Sequence, residues 1–351
     1  MGDNPHEGLE NYNLAISAGF DNDEMLFFMG MAYEHLNDDY MALRYFQKAN
    51  TKNPSRPDFI VKKIKTQIRL DMIDSAEESI DELLRTDPEL YDGYHLKIQL
   101  LIVKKMFTEA CEFAKAAADR FPEDSDLMYD YVKCVALSGS FEKASKLLET
   151  AKKMKYFDAV KRNFTMLSAE IAAEQGDMEK AIQECNECLS LEGKEYFDGE
   201  ARFMLLNLFI LKEEFIKVLE VASAIIENDA EDSYYYAALY FKPFCLKKLE
   251  RNEESIEAYK EANSIYRLAT IKNPEAVDIY LYRAMCLKDL EEYEKAFEIL
   301  DFIDGISNSI AEIHTIRADI YRAQGKEALG KIEMEKAMEM KPALKAVYKG
   351  K

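Results

Sequence analysis

Small residues recur through the first half of the chain at a fixed interval of 34 positions, at Ala42, Ala76, Ala110 and Ala144. Prolines keep the same interval, at Pro54, Pro88 and Pro122. An apolar or small residue follows each alanine after four and after seven positions, so the three side chains share one face of a helix. The proline that comes next ends that helix. The pattern therefore predicts one amphipathic helix in each interval.

A second apolar stripe precedes each of these helices. In the first interval it consists of Leu26, Met29, Gly30 and Tyr33, whose spacing again selects one helical face. Short polar segments such as LNDDY and LDMID join the two helices. Short links make neighbouring helices antiparallel, and small residues let their backbones approach closely. The chain is thus predicted to form helical hairpins that bury their remaining apolar faces by stacking.

Residues 23–56 carry a set of spaced positions that together define one repeat: Gly30, Tyr33, Tyr40, Ala42, Phe46, Ala49 and Pro54. This pattern resembles the tetratricopeptide repeat family. The resemblance implies an all-α, right-handed α-solenoid of about nine helical hairpins. It also implies a concave groove, lined by the first helices, that binds a protein or a peptide.

The register continues at longer intervals, with Ala181, Val218, Ser255, Ala296 and Gly330 at the small position. Three steps of 37 positions precede one of 41. The longest step predicts that the second helix of the seventh hairpin, about 253–272, is two turns longer than the others. Its extra end, IYRLATI, is expected either to project or to pack on a neighbour. Gly139, Gly176 and Gly325 are predicted at turns, and Pro243 is expected to kink a first helix.

The repeat spacing divides the chain into four segments. We expect a capping helix in 1–22, a regular array of four 34-residue repeats in 23–158, an irregular array of about five repeats in 159–344, and a tail in 345–351. Little sequence remains to cover the last hairpin, so Met340, Leu344 and Val347 are expected to be partly exposed. That exposure leaves homodimerisation through the terminal repeats open.

Charge and composition limit the classes of partner that the protein is expected to bind. The formal charge of −20, from 46 basic and 66 acidic side chains, disfavours nucleic acid and favours basic or amphipathic protein segments. No signal peptide and no long apolar run is visible, so no membrane is expected as a partner. Six cysteines are scattered along the chain, which favours a reducing cytoplasm.

The sequence contains no catalytic or nucleotide-binding motif, and we predict no enzymatic activity, no cofactor and no metal. Cys185 and Cys188 have the spacing of one ligand pair of a zinc site, but they occupy core positions and no second pair follows. The basic segment 62–65, with Arg69 one turn later, is expected to be ordinary helix surface. The residues with which some family members clamp a peptide carboxylate are absent here.

The strongest candidate for a binding surface is aromatic. Apolar residues exceed what the buried stripe requires in the first helices of the sixth to eighth hairpins. At the family's groove positions, the candidates are Phe203, Met204, Asn207, Tyr240, Phe241, Phe244, Leu281, Tyr282 and Met285. One interpretation is a groove for an amphipathic helix or an extended peptide. The other is tighter packing between repeats, including docking of the long helix.

The resemblance implies a non-catalytic scaffold or adaptor. One alternative is a regulatory peptide sensor whose solenoid changes pitch when a ligand binds. The other is an accessory subunit that wraps a catalytic partner. All three rest on the fold, which does not by itself determine a function.

Overall fold

The computed structural model describes residues 5–20, 22–155, 157–191, 197–228, 234–306, 310–342 and 344–345. These residues form nineteen α-helices and no strand. In chain order the helices are α1 (Pro5–Ser17), α2 (Asp23–His35), α3 (Asp39–Lys52), α4 (Pro57–Arg69), α5 (Ile73–Thr86), α6 (Tyr91–Val103), α7 (Phe107–Arg120), α8 (Ser125–Leu137), α9 (Phe141–Ala151), α10 (Phe157–Glu174), α11 (Met178–Ser190), α12 (Phe197–Leu211), α13 (Phe215–Asn228), α14 (Tyr235–Lys248), α15 (Asn252–Lys272), α16 (Val277–Asp289), α17 (Tyr293–Ile306), α18 (Ala311–Ala323) and α19 (Glu327–Met340). None of these described helices has the length and apolar character needed to span a membrane.

The chain divides into two compact units, residues 1–177 and 178–351. The first unit contains α1 to α10 and the second contains α11 to α19. Within each unit, helices that follow one another in the chain pack together. The all-α repeat architecture is therefore confirmed. The four segments expected from the repeat spacing remain a prediction, and 346–351 of the expected tail lie outside the described residues.

The nine small positions predicted from the spacing are all buried: Ala42, Ala76, Ala110, Ala144, Ala181, Val218, Ser255, Ala296 and Gly330. Gly30 lies especially close to the second helix of its hairpin. A Cβ atom on Gly30 would lie 2.6 Å from the ring of Phe46, which is itself fully buried. A glycine is therefore needed at this crossing, as the sequence predicted.

One residue with a left-handed backbone marks the turn inside each hairpin. These residues are Asn37, Asp71, Lys105, Gly139, Gly176, Glu213, Glu250, Glu291 and Gly325. The next residue donates its backbone N–H to the carbonyl five positions earlier, as from Asp38 to Tyr33 at 3.0 Å. This hydrogen bond caps the first helix, and a glycine adopts the required conformation without strain. The turns repeat the intervals of the small residues, so the predicted register and the three glycine turns are confirmed.

The prolines end the second helices as expected. Helices α3, α5 and α7 each end two residues before Pro54, Pro88 and Pro122, and α15 and α19 end two residues before Pro274 and Pro342. Helix α15 has 21 residues, which confirms the predicted extension. Helix α14 continues through Pro243. Because proline has no backbone N–H, this position cannot donate a helix hydrogen bond.

The extra end of α15 both packs and projects. On its inner side, Tyr266 is fully buried and donates its hydroxyl to the carbonyl of Tyr236 in α14 at 2.7 Å. On its outer side, Leu268 and Ile271 are 57% and 69% exposed. The two alternatives left open by the sequence are therefore both realised, on opposite faces of one helix.

Candidate protein-binding surface

The nine candidate residues lie on three first helices of the second unit, α12, α14 and α16. Eight of them are partly buried, and Tyr240 is only 4% exposed. Helix α14 packs against α16, which brings the candidates of these two helices together. Phe203 of α12 instead stacks on Tyr234, the residue before α14, at a ring distance of 4.6 Å.

Tyr240 forms the base of an aromatic cluster beneath this surface. Its ring centroid lies 5.5 Å from that of Phe241, 6.2 Å from that of Phe244 and 6.3 Å from that of Tyr282. Aromatic pairs at such distances are favourable beyond the area they bury. Tyr240 therefore positions the other rings and offers little surface of its own.

Asp289, at the end of α16, ties the cluster together. One oxygen of its carboxylate accepts hydrogen bonds from the hydroxyls of Tyr240, at 2.9 Å, and Tyr259, at 3.2 Å. Burial, reinforced by the nearby carboxylate, holds the pKa of both hydroxyls well above the ordinary value, so both remain donors. The repeat pattern did not single out Asp289. The available signal was Tyr259 at a core position, since a buried hydroxyl needs an acceptor.

Lysines flank the aromatic residues. Lys248 places its Nζ 5.6 Å from the ring centroid of Phe244, within reach of a cation–π interaction. Lys247 and Lys288 lie 3.6 and 3.5 Å from the carboxylate of Asp289. The carboxylate of Asp289 thus faces two lysines, and Lys248 is a third lysine close to the aromatic residues.

Helix α15 covers the back of the cluster. Tyr266 stacks on Tyr282 at a centroid distance of 6.2 Å. The interpretation in which the long helix docks on the candidate residues therefore applies to the side of the cluster that faces α15. The side chains of Met204, Leu281 and Met285 are partly exposed and aliphatic, so they can contribute apolar contacts to a ligand without disturbing the stacked rings.

The first helices of the first unit carry charged pairs instead. Lys62 and Arg69 on α4 both pair with Glu34 on α2, at 2.6 and 2.9 Å. The basic segment 62–65 thus has its charge partly neutralised within the unit. This placement agrees with the expectation that it is ordinary helix surface.

His95 joins α6 to α8 through Asp130. Its Nδ1 is hydrogen-bonded to the carboxylate of Asp130, and its Nε2 lies 2.7 Å from the side-chain amide of Gln99. Burial lowers the pKa of His95, but the hydrogen bond and charge of Asp130 outweigh burial and raise it above 6.5. Burial also raises the pKa of Asp130, an effect that His95 only partly offsets.

We expect the stability of the first unit to fall as the pH rises above about 6.5. Because the folded state raises the pKa of His95, it binds the proton more tightly than the unfolded chain does. The stabilisation is complete below the unfolded-state pKa and is lost as the pH passes the folded-state pKa. Urea unfolding of the wild type and of His95→Gln at several pH values measures it. A constant difference between the two proteins at all pH values would contradict this prediction.

The paired cysteines Cys185 and Cys188 lie in the core of the second unit. Cys185 and Cys188 are fully buried, as expected for core positions. No group of three or more potential metal ligands occurs among the described residues.

Comparisons with known proteins support the fold. The family model described as the tetratricopeptide repeat matches residues 166–195 and 311–344. The chain therefore contains tetratricopeptide repeats. Its architecture is similar to the apo form of the quorum sensor NprR from B. thuringiensis, at 14% identity and a TM-score of 0.60, covering 95% of this chain and 97% of the other. No curated protein matches the sequence.

Two further solved structures have a similar fold. A tetratricopeptide repeat protein from Parabacteroides merdae is 19% identical with a TM-score of 0.52, covering 74% of this chain and 97% of that one. The human IFIT1 dimer with m7Gppp-AAAA is 12% identical with a TM-score of 0.55, covering 97% and 82%. Identities this low show the fold alone. The exclusion of nucleic acid remains a prediction from charge.

Proposed function

We propose that this protein is a non-catalytic scaffold or adaptor that binds an amphipathic segment of another protein on the first helices of its second unit. The observation that carries the proposal is a set of partly exposed apolar side chains on α12, α14 and α16, supported from below by a buried aromatic cluster. Rigid, well-packed apolar anchors are the usual source of binding energy at protein interfaces.

The charged residues beside the candidate surface indicate which kind of protein segment it would bind. The whole-chain charge favours basic partners, whereas Lys247, Lys248 and Lys288 lie beside the apolar residues. Close charges act more strongly than distant ones because salt screens interactions beyond about 10 Å. We therefore expect an amphipathic segment with acidic residues flanking its apolar face, and a peptide selection separates this expectation from the basic alternative.

Peptides selected from a random display library on the full chain should bind at least about tenfold more weakly to a variant with Met204→Gln, Leu281→Gln and Met285→Gln, a loss of roughly 1.4 kcal/mol or more. Glutamine keeps much of the volume of methionine and leucine while removing their apolar character. Calorimetric titration of the selected peptides measures the effect. The selected sequences should carry apolar residues at helical spacing and flanking acids.

A matched control replaces exposed apolar residues of the same unit outside this surface, Ile216→Gln with Met340→Gln. It should bind the peptides as the wild type does. Equal binding by the Met204, Leu281 and Met285 variant would remove the surface from consideration. Compaction in small-angle scattering on peptide addition would favour the regulatory sensor over the scaffold.

A further inference from the structure

A second apolar surface lies on the outer side of the second unit, away from the candidate residues of the first helices. Four large side chains of α15 and α17 are about half exposed or more: Leu268 57%, Ile271 69%, Phe302 49% and Ile306 54%. We call these four residues the outer patch. Contiguous apolar surface of this kind commonly marks an interaction site.

Tyr280 makes the outer patch continuous. Its hydroxyl lies 3.5 Å from the carbonyl of Thr270, the residue before Ile271 in α15. Its ring lies 5.3 Å from that of Phe302 in α17. The end of α15 and the last turns of α17 are therefore joined by one side chain, so their exposed residues form one surface. The seven-residue extension of α15 creates it, because Leu268 and Ile271 lie in the extension.

The α15 side of the outer patch is basic. Arg267 and Lys272 are exposed, and neither has an ion-pair partner within the described part of the chain. Burial, and then the like charge of Arg267, lowers the pKa of Arg283 on α16. The positive charge on this side is thus not neutralised by an ion pair among the residues that the structure describes.

The α17 side is acidic. Glu298 and Asp301 are both exposed on this helix, Asp301 with 69% of its side chain accessible although it pairs with Arg317. The exposed charges next to the apolar residues are therefore basic on α15 and acidic on α17. A surface with this arrangement is complementary to itself.

We propose that the outer patch is a self-association site, in which α15 of one copy lies along α17 of its partner. A two-fold axis parallel to the two helices and midway between them brings α15 over the partner's α17, and the reverse. It covers the four apolar side chains and places the basic side of each copy against the acidic side of the other. This pairing is distinct from association through the terminal repeats, since neither helix belongs to the first or the last hairpin.

Sedimentation velocity of the full chain tests the pairing with complementary charge reversals. The wild type should be dimeric at about 100 µM, a concentration at which a micromolar complex is well populated. Arg267→Glu and Glu298→Arg should each weaken the dimer at least tenfold, because each places like charges together twice. An equimolar mixture of the two variants should dimerise, because both contacts across the mixed interface pair an acid with a base.

Ile271→Gln should weaken the dimer similarly, whereas Ile256→Gln, on an exposed part of α15 outside the outer patch, should not. Circular dichroism checks that every variant keeps its helical content. A monomeric wild type at the highest concentration would overturn the proposal and leave the outer patch to a different partner or to none. Dimers that all single variants retain, or a mixture that stays monomeric, would overturn it as well.

Discussion

Replacement of Phe46 by alanine should lower the free energy of unfolding of the first unit by about 3–5 kcal/mol. The ring is fully buried between the two helices of the first hairpin, against Gly30, and lies 5.6 Å from the ring of Phe27. Removal of the ring loses apolar burial and leaves a cavity. Gly30 cannot fill this cavity because it has no side chain. Because each hairpin contacts mainly its neighbours, the loss should be concentrated in the first unit.

Hydrogen exchange read by mass spectrometry measures this loss, since it reports each unit separately. Peptides of the first unit should lose protection, while those of α16 to α19 should keep it. Tyr40→Ala provides the matched control, because Tyr40 is an aromatic residue of the same repeat pattern but is 75% exposed. It should change stability by less than about 0.5 kcal/mol. Equal losses from the two variants would contradict the assignment of Phe46 as the core residue.

This contrast between Phe46 and Tyr40 shows what the repeat pattern could predict. The interval of the small residues is set by close helix crossings such as that of Gly30 with Phe46, so it predicts the hairpins, their turns and the extension of α15. Pattern membership alone did not separate the buried Phe46 from the exposed Tyr40. Such differences depend on which neighbour covers each position, and the covering neighbour is known only from the packed structure.

The candidate surface illustrates the same limit. The sequence identified Tyr240, Phe241 and Met285 as candidate binding residues, because all three occupy groove positions. It could not predict that Tyr240 lies beneath the surface, since this depends on its contacts with Tyr259 of α15 and Tyr282 of α16. It also missed Asp289, whose acceptor role requires that two tyrosines from different helices converge on one oxygen.

Asp289→Ala is expected to destabilise the second unit by roughly 2–4 kcal/mol. The change leaves the hydroxyls of Tyr240 and Tyr259 without their acceptor, and each unsatisfied buried group carries a penalty of about 1–3 kcal/mol. It also removes the carboxylate near Lys288, whose side chain is only 19% exposed. Urea unfolding followed by tyrosine fluorescence, with hydrogen exchange to assign the unit, measures the loss.

A double-mutant cycle isolates the role of the carboxylate. Tyr259→Phe alone should cost about 1 kcal/mol, because one hydrogen bond is lost while the acceptor keeps another donor. In the combined variant, Asp289→Ala with Tyr259→Phe, one of the two unsatisfied hydroxyls no longer exists, so the total should be smaller than the sum of the single effects. Asp289→Asn, which keeps an oxygen acceptor, should lose less than Asp289→Ala. Strict additivity would show that the carboxylate stabilises the unit by some route other than these hydroxyls, and Tyr240 would then need another reason for lying beneath the candidate surface.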